Sequence, residues 1–361
     1  MTVDRAAITA ALSRIAIPGG GNLVDGDMIR ALTIGPDNVV SFVIEAPSAD
    51  IAKVMEPMRA AAEREVAGIV GVAGVRAVLT APTERSAPPS LKIGGHAKPQ
   101  SGPMKVPGVR HVVAVASGKG GVGKSTVASN LAVSLARRGW RVGLLDADLH
   151  GPSLPRMMGV NVRAASPDGK TILPALAHGV TMMSLGLMVD EAKAVVWRGP
   201  MLMGALQQLL GQVAWTHHHE GGDLDVLIVD MPPGTGDVQL TIGQKTEVSG
   251  ALVVSTPQDV ALLDARKALD MFATLGTRIL GLVENMSVFH CPNCGHEAHV
   301  FGSGGVAEEA RRLGLPFLGT LPLDLETRMG GDAGRPVATG TGPMAQAFDD
   351  LARQLGETLA L

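Results

Sequence analysis

The sequence predicts an α/β protein with a mostly parallel sheet covered by helices on both faces, preceded by a small α+β domain. Three observations predict it. Apolar strands alternate with helical segments over residues 110–361, a stretch rich in Pro, Gly and Ser separates that region from residues 1–81, and a glycine-rich loop ending in Lys-Ser joins the larger region's first strand to its first helix. The chain of 361 residues is long enough for two domains.

Residues 1–81 read as a short apolar helix over Ala6 to Ile15, a strand over Asn38 to Glu45, a helix over Met58 to Val66 and a closing strand over Val75 to Thr80. Pro57 lacks a backbone donor and crowds the preceding turn, so the stretch from Ala49 to Ala67 is predicted not to form one straight helix. No polar cluster in this domain suggests chemistry, and it reads as a packing or partner-binding module. Residues 82–109 lack hydrophobic periodicity and read as a flexible linker. Beyond it, the segments His111 to Ser117, Val142 to Asp146, Leu224 to Asp230, Ala251 to Ser255 and Ile279 to Asn285 are strands with apolar residues on both faces, which suits a covered parallel sheet.

Charge and composition exclude several classes. With 31 Lys+Arg against 34 Asp+Glu there is no basic surplus for nucleic acid, and 6 Phe, 3 Trp and no Tyr leave little for a base-stacking platform. No apolar run is long enough to span a bilayer and the start lacks a basic, then apolar, leader, so a soluble cytoplasmic protein without membrane partners is expected. Met344, Phe348, Leu351, Leu355 and Leu359 form one apolar helix face, while the opposite face carries Asp349, Asp350 and Glu357 with Arg353 as its cation. A membrane-surface helix favours Lys and Arg there, so this helix is predicted to pack on the larger domain.

The loop Ser117-Gly118-Lys119-Gly120-Gly121-Val122-Gly123-Lys124-Ser125-Thr126 contains the pattern G-x-x-x-x-G-K-[ST] between an apolar strand and a helix. Each part has a physical task. Glycines let backbone N–H groups wrap phosphates, the helix N-terminus adds positive potential, Lys124 reaches the β- and γ-phosphates, and Ser125 ligates Mg²⁺. Asp230 ends a buried strand beside that loop and is expected to hold Mg²⁺ through water. The following turn, Pro232 to Asp237, is expected to sense the γ-phosphate through the Gly234 N–H. Asp146 and Asp148 point the same way if their strand persists, with Asp148 expected to position the attacking water; Asp146 has a helix N-cap as its alternative role.

The two cysteines, Cys291 and Cys294, lie in His-Cys-Pro-Asn-Cys-Gly-His, a turn that can aim two thiolates at one point. Two ligands close neither a tetrahedral metal site nor an iron–sulfur cluster. A twofold dimer supplies a second pair. Zinc completed within one chain by His290, His296 or His299 stays open, as does a redox-active pair.

Lys119, a second lysine inside the loop, combined with the blocks DADLHGPS and DMPPGTGD, resembles the deviant P-loop ATPases of the MinD/ParA group. Over nearly the whole chain, with Trp197-Arg198-Gly199-Pro200-Met201, Ser255 to Asp259, Glu284 to Ser287 and the cysteine turn added, the sequence is similar to the Mrp/ApbC-type iron–sulfur cluster carrier ATPases. The resemblance implies a P-loop NTPase fold, ATP and Mg²⁺ as cofactors, and a homodimer whose Lys119 enters the partner's site; a solvated loop lysine is the alternative. It further implies that Asn285 reads the adenine edge, and that Cys291 and Cys294 hold a labile [4Fe-4S] cluster at the dimer interface, received from a cluster-assembly scaffold and given to apo iron–sulfur proteins. The alternatives are a zinc-stapled ATPase and a MinD/ParA-like positioning ATPase, both without cluster transfer. His150 stands where relatives often carry an aromatic hydroxyl, and His217-His218-His219 is an insertion read as a solvated loop.

Overall fold

Contacts divide the chain into two units, Met1–Ala87 and Pro88–Leu361. The computed structural model describes residues 4–17, 20–35, 37–47, 49–80, 102–148, 151–188, 199–220 and 222–361. Most of the predicted linker, His150, and Trp197 with Arg198 lie outside the described residues.

The first unit contains α1 (Arg5–Leu12), β1 (Ile29–Ile34), β2 (Val39–Glu45), α2 (Ala49–Ala67) and β3 (Gly74–Thr80). Strand β2 is central, antiparallel to β1 and parallel to β3. Its alternation drives Val40, Phe42 and Ile44 into a core with Ile8, Leu12, Met55 and Val66. Two features of this unit go beyond the sequence reading. Helix α2 continues through Pro57, because Met55, Ala62 and Val66 are all buried against the sheet and that packing offsets one lost backbone hydrogen bond. Strand β1 was not foreseen, because none of its residues is fully buried and its register slips between Arg30 and Thr33, where Ala31 has φ 49°.

The second unit runs β4 (Val109–Ala116), α3 (Lys124–Arg137), β5 (Val142–Asp146), α4 (Leu154–Met157), β6 (Ala175–Ala177), β7 (Val180–Ser184), α5 (Gly199–Gln212), β8 (Leu224–Asp230), α6 (Asp237–Lys245) and β9 (Gly250–Ser255). It continues through α7 (Asp259–Thr274), β10 (Ile279–His290), β11 (Glu297–Ala298), α8 (Gly305–Leu313), β12 (Phe317–Leu323), α9 (Leu325–Asp332) and α10 (Pro343–Leu359). Among the described residues the sheet order is β11-β10-β9-β4-β8-β5-β7-β6, with β12 also on β10. Only the margins are antiparallel, β11 on β10 and β6 on β7; the remaining pairs are parallel.

Uniformly apolar strands follow from two cores, one on each face. Along β4, Val113 and Val115 enter the core that holds Leu131 and Leu135 of α3, while Val112, Ala114 and Ala116 enter the one that holds Trp215 and Phe272. The α10 residues Met344, Phe348, Leu351, Leu355 and Leu359 are buried in the α3 core, as their spacing predicted. Among the described residues no helix is long and apolar enough to cross a membrane.

Two boundaries differ from the sequence reading. Residues 102–108, assigned to the linker, are tied into the second unit: Met104 N donates to Lys245 O at 2.7 Å, Glu247 N to Met104 O at 2.9 Å, and Val106 is buried. The histidine insertion is only partly solvated. His218 Nε2 is 3.0 Å from Pro174 O, and His219 Nε2 is 3.1 Å from Thr181 Oγ1 of β7, so two of the three rings fasten the turn to the sheet margin.

Leu355 is completely buried between α10 and the sheet. Leu355→Ala is expected to cost about 3 kcal/mol in a urea-unfolding titration, the scale of a core leucine truncation; a loss under about 0.5 kcal/mol would contradict the packing of α10.

Candidate functional site

The strand order decides where a ligand fits. Strand β4 lies between β9 and β8, with β5 beyond β8, so the carboxyl ends of β4, β8 and β5 converge where the connections leave in opposite directions. Open parallel sheets bind ligands in that crevice. The loop 117–123 fills it, closed by the Ser117 Oγ donating to Lys119 O at 2.9 Å. Gly121 and Gly123 take φ of 83° and 82°, a region costly for other residues. Gly118 answers a different constraint: a Cβ there would lie 2.0 Å from the Asp264 carbonyl carbon, because α7 crosses directly over the loop. Lys119 is half-buried in the same loop.

Lys124 opens α3 at 6% exposure, and its Nζ lies 2.5 Å from Asp230 Oδ1 and 3.3 Å from Ser125 Oγ. Asp230 is fully buried at the end of β8, and its Oδ2 has no hydrogen-bond partner. Burial pushes the Asp230 carboxyl up, with the Lys124 charge and the Ser125 hydroxyl pulling the other way. An orphaned carboxylate oxygen beside a serine hydroxyl is the hard-oxygen donor set that Mg²⁺ takes, so these residues fit that ion.

Asp146 stands in register with Asp230 across β5 and β8 and is 1% exposed. Burial first, then the neighbouring Asp230 charge, pushes its carboxyl up to about 7. It accepts hydrogen bonds from Ser184 Oγ at 3.1 Å and from the Leu154 and Asp148 N–H groups at 3.2 Å. Strand β5 ends at Asp146, so the alternation that was to aim Asp146 and Asp148 together does not extend to Asp148. Asp146 instead anchors the start of α4 from inside, near the capping role given as its alternative, although Ser153 holds the cap position itself. Asp148 is half-buried and near enough to raise Asp230 further. Ser184 is an addition that no sequence motif marked.

The Gly234 N–H donates to Ser117 O at 2.9 Å, so the amide assigned to the γ-phosphate is bonded to the loop's own carbonyl here. Gln239 braces the turn, its Nε2 donating to Pro232 O and Pro233 O at 2.9 Å each. Beside Gly123 and Thr126 a cavity of about 880 Å³ opens, lined also by Asn285, Met286, Phe289 and Asp324. Asn285 Nδ2 donates to Val122 O at 2.8 Å, which fixes the amide's orientation and leaves Oδ1 as an acceptor. Arg156 and Arg328 also line this cavity; both lie outside any motif.

Past the end of β10, Cys291 N donates to His296 O at 2.9 Å and Gly295 N to Cys291 O at 2.8 Å, with Gly295 at φ 72°. The Asn293 and Cys294 N–H groups turn toward the Cys291 sulfur and, together with the Cys294 thiol, hold its thiol below the usual range. A turn of this kind favours the thiolate, the form that binds metal. Cys294 is exposed. Among the described residues no group of three or more His, Cys, Asp or Glu side chains could hold a metal ion. His299 Nδ1 is 3.0 Å from Ser287 O and His290 Nδ1 is 3.5 Å from Glu297. The single-chain zinc site left open by the sequence is therefore not assembled.

Residues 108–356 match the model of the ParA family described as NUBPL iron-transfer P-loop NTPases. The chain belongs to that family. Residues 5–77 of this NUBPL-type NTPase match a second model, described as iron–sulfur cluster assembly protein. It is 40% identical over 351 residues to the iron–sulfur cluster carrier protein of Synechocystis, covering 94% of this chain and 93% of that one. Identity to the protein of the same name from Pseudomonas fragi is 49% over 268 residues, 72% of this chain and 91% of that one. A solved nucleotide-binding protein from Archaeoglobus fulgidus in complex with ADP is 38% identical with a TM-score of 0.56, covering 65% of this chain and 90% of that chain. The P-loop NTPase fold expected from the sequence is the fold of this family.

The raised Asp146 carboxyl makes a signed prediction. A folded pKa of about 7, above that of an unfolded aspartate, means that the proton on Asp146 stabilises the folded state. That contribution is fully present below about pH 4 and lost as pH rises through about 7. Asp146→Asn should therefore lose less stability than wild type between pH 5 and pH 8 in urea titrations; equal losses would contradict the burial of this carboxyl.

Proposed function

We propose that this NUBPL-type NTPase is an ATP-hydrolysing carrier that binds a labile [4Fe-4S] cluster between two copies of the chain and passes it to apo-proteins. One observation carries the reading: a phosphate loop with its buried lysine and carboxylates shares a chain with a two-thiolate turn that no other described side chain completes. The carrier names of the relatives and the ADP in the Archaeoglobus protein support it.

In this reading the Gly118 to Thr126 amides enclose the phosphates and Lys124 bridges the β- and γ-oxygens. Ser125, and Asp230 through water, would hold Mg²⁺, which would supply charge neutralisation at the transferring phosphoryl group. Asp148 positions the attacking water. Gly234 turns its N–H from Ser117 O toward the γ-phosphate, a switch that gives up that loop hydrogen bond when the γ-phosphate is bound. Asn285 Oδ1, its amide oriented by Val122, accepts from the adenine 6-amino group; guanine presents a carbonyl there and is disfavoured. Lys119 enters the partner's site and neutralises developing charge, as an arginine finger does.

The cluster is cargo. Cys291 and Cys294 give two thiolates and a second copy gives two more on the dimer axis, a seam that opens when the subunits shift. A cluster-assembly scaffold supplies it and apo iron–sulfur proteins receive it, in the cytoplasm and without membrane or nucleic acid.

Two lysine variants and a cysteine variant test the reading together. Lys124→Ala is expected to abolish ATP binding by calorimetry. Lys119→Ala should bind within about threefold of wild type yet lose turnover by roughly a hundredfold or more, since a charge supplied in trans acts mainly on the transition state. Cys291→Ser should keep ATPase turnover and lose reconstituted iron and sulfide. Equal binding losses in the two lysine variants would remove the trans role, and iron retained by Cys291→Ser would remove the carrier reading.

A further inference from the structure

Strand β10 carries residues of both sites. Asn285, Met286 and Phe289 line the cavity beside the phosphate loop, and Cys291 follows its last residue, His290. Asn285 fastens the strand to the loop through Val122 O. The preceding residue, Glu284, points to the opposite face and is 1% exposed. Its Oε1 accepts from Gly304 N and its Oε2 from Val306 N, both at 2.9 Å, at the start of α8. The excursion that holds both cysteines therefore leaves from the end of β10 and is tied back to the same strand by one buried carboxylate, through charge-assisted bonds.

This junction is also where β10 stops being regular. Its ladder with β9 ends at Glu284 opposite Ser255, and its ladder with β12 slips between Asn285 and Phe289, with Met286 at φ 58°. Up to this point the strand is held: Glu284 pairs with Ser255 of β9 and Thr320 of β12, and Asn285 with Leu321, so the two adjacent residues move together and a shift at the nucleotide cavity reaches the carboxylate through one peptide unit.

We infer that Glu284 is a positioning residue coupling the nucleotide cavity to the cysteine turn: nucleotide seated against Val122 and Asn285 orders residues 291–306 through the Glu284 clamp on α8. This rests on the reading that nucleotide occupies the cavity and cargo the turn. Coupling is reciprocal, so cargo on the turn tightens nucleotide binding by the same factor.

Hydrogen–deuterium exchange on the full-length, metal-free protein with and without ADP and Mg²⁺ tests it, since exchange reads local ordering segment by segment. In wild type, ADP is expected to slow exchange over 291–306 by about fivefold or more, the lower end of usual site-to-site coupling. In Glu284→Gln, ADP affinity and phosphate-loop protection persist while the protection over 291–306 is lost. Should that variant not fold, Gly304→Ala decides: the added Cβ meets nothing within 4 Å but strains a φ of +73° at the same junction, and partial loss of protection is expected. Wild type protected at the phosphate loop but unchanged at 291–306, or either variant protected as fully as wild type, overturns the inference. Absence of ADP protection at the phosphate loop overturns the nucleotide reading with it, whereas failure of Cys291 and Cys294 to take up iron removes the cargo reading and leaves the measured coupling standing.

Discussion

Lys124 and Asp230 meet at 2.5 Å with almost no exposure to water, and the organisation of the larger unit follows from making that burial tolerable. An ammonium and a carboxylate withdrawn from solvent each cost several kcal/mol, recovered only with close pairing and further polar partners. Strand order supplies the partners. Because β4 runs between β9 and β8, the lysine that starts α3 faces the carboxylate that ends β8, and Asp146 of β5 stands in register beside it. Two carboxylates facing one lysine leave a surplus of negative charge, expressed in the raised Asp146 carboxyl and the orphaned Asp230 Oδ2. A divalent cation offsets that surplus, so the pair that is awkward for the bare fold is suited to hold one.

The cysteine turn is incomplete in the opposite sense. It has donors, one with a thiol already biased toward the thiolate, and too few of them. Two of the three nearby histidines are committed elsewhere: His299 to Ser287 O, and His290 beside Glu297. Five residues of β10, Met286 to His290, separate Asn285 from Cys291, about 20 Å of extended chain, so the strand links the two sites without their sharing a cavity.

Much of this was legible in the residues, for reasons that differ by element. Backbone-built features write themselves into sequence because few residues can replace glycine at Gly121 or Gly123, and the parallel sheet announces itself because strands such as β4 must be apolar on both faces. The helix α10 was legible because its spacing of apolar residues admits one buried face. Features that depend on tertiary packing were not. Pro57 reads as a helix breaker until the burial of Met55, Ala62 and Val66 is known, and β1 is too exposed and irregular to show alternation. Ser184, Arg156 and Arg328 come to the site through contacts between distant segments, which no local spacing encodes. Asp148 was expected to share a direction with Asp146, and the early end of β5 removed the basis for that geometry.

The proposed carrier role requires two copies of this chain to complete one metal site. Native mass spectrometry of the anaerobically reconstituted protein tests it most directly. A dimer carrying the mass of one [4Fe-4S] cluster is expected, with Cys291→Ser lacking that increment. A monomer that holds the full metal load, or a dimer whose load survives the substitution, would contradict it.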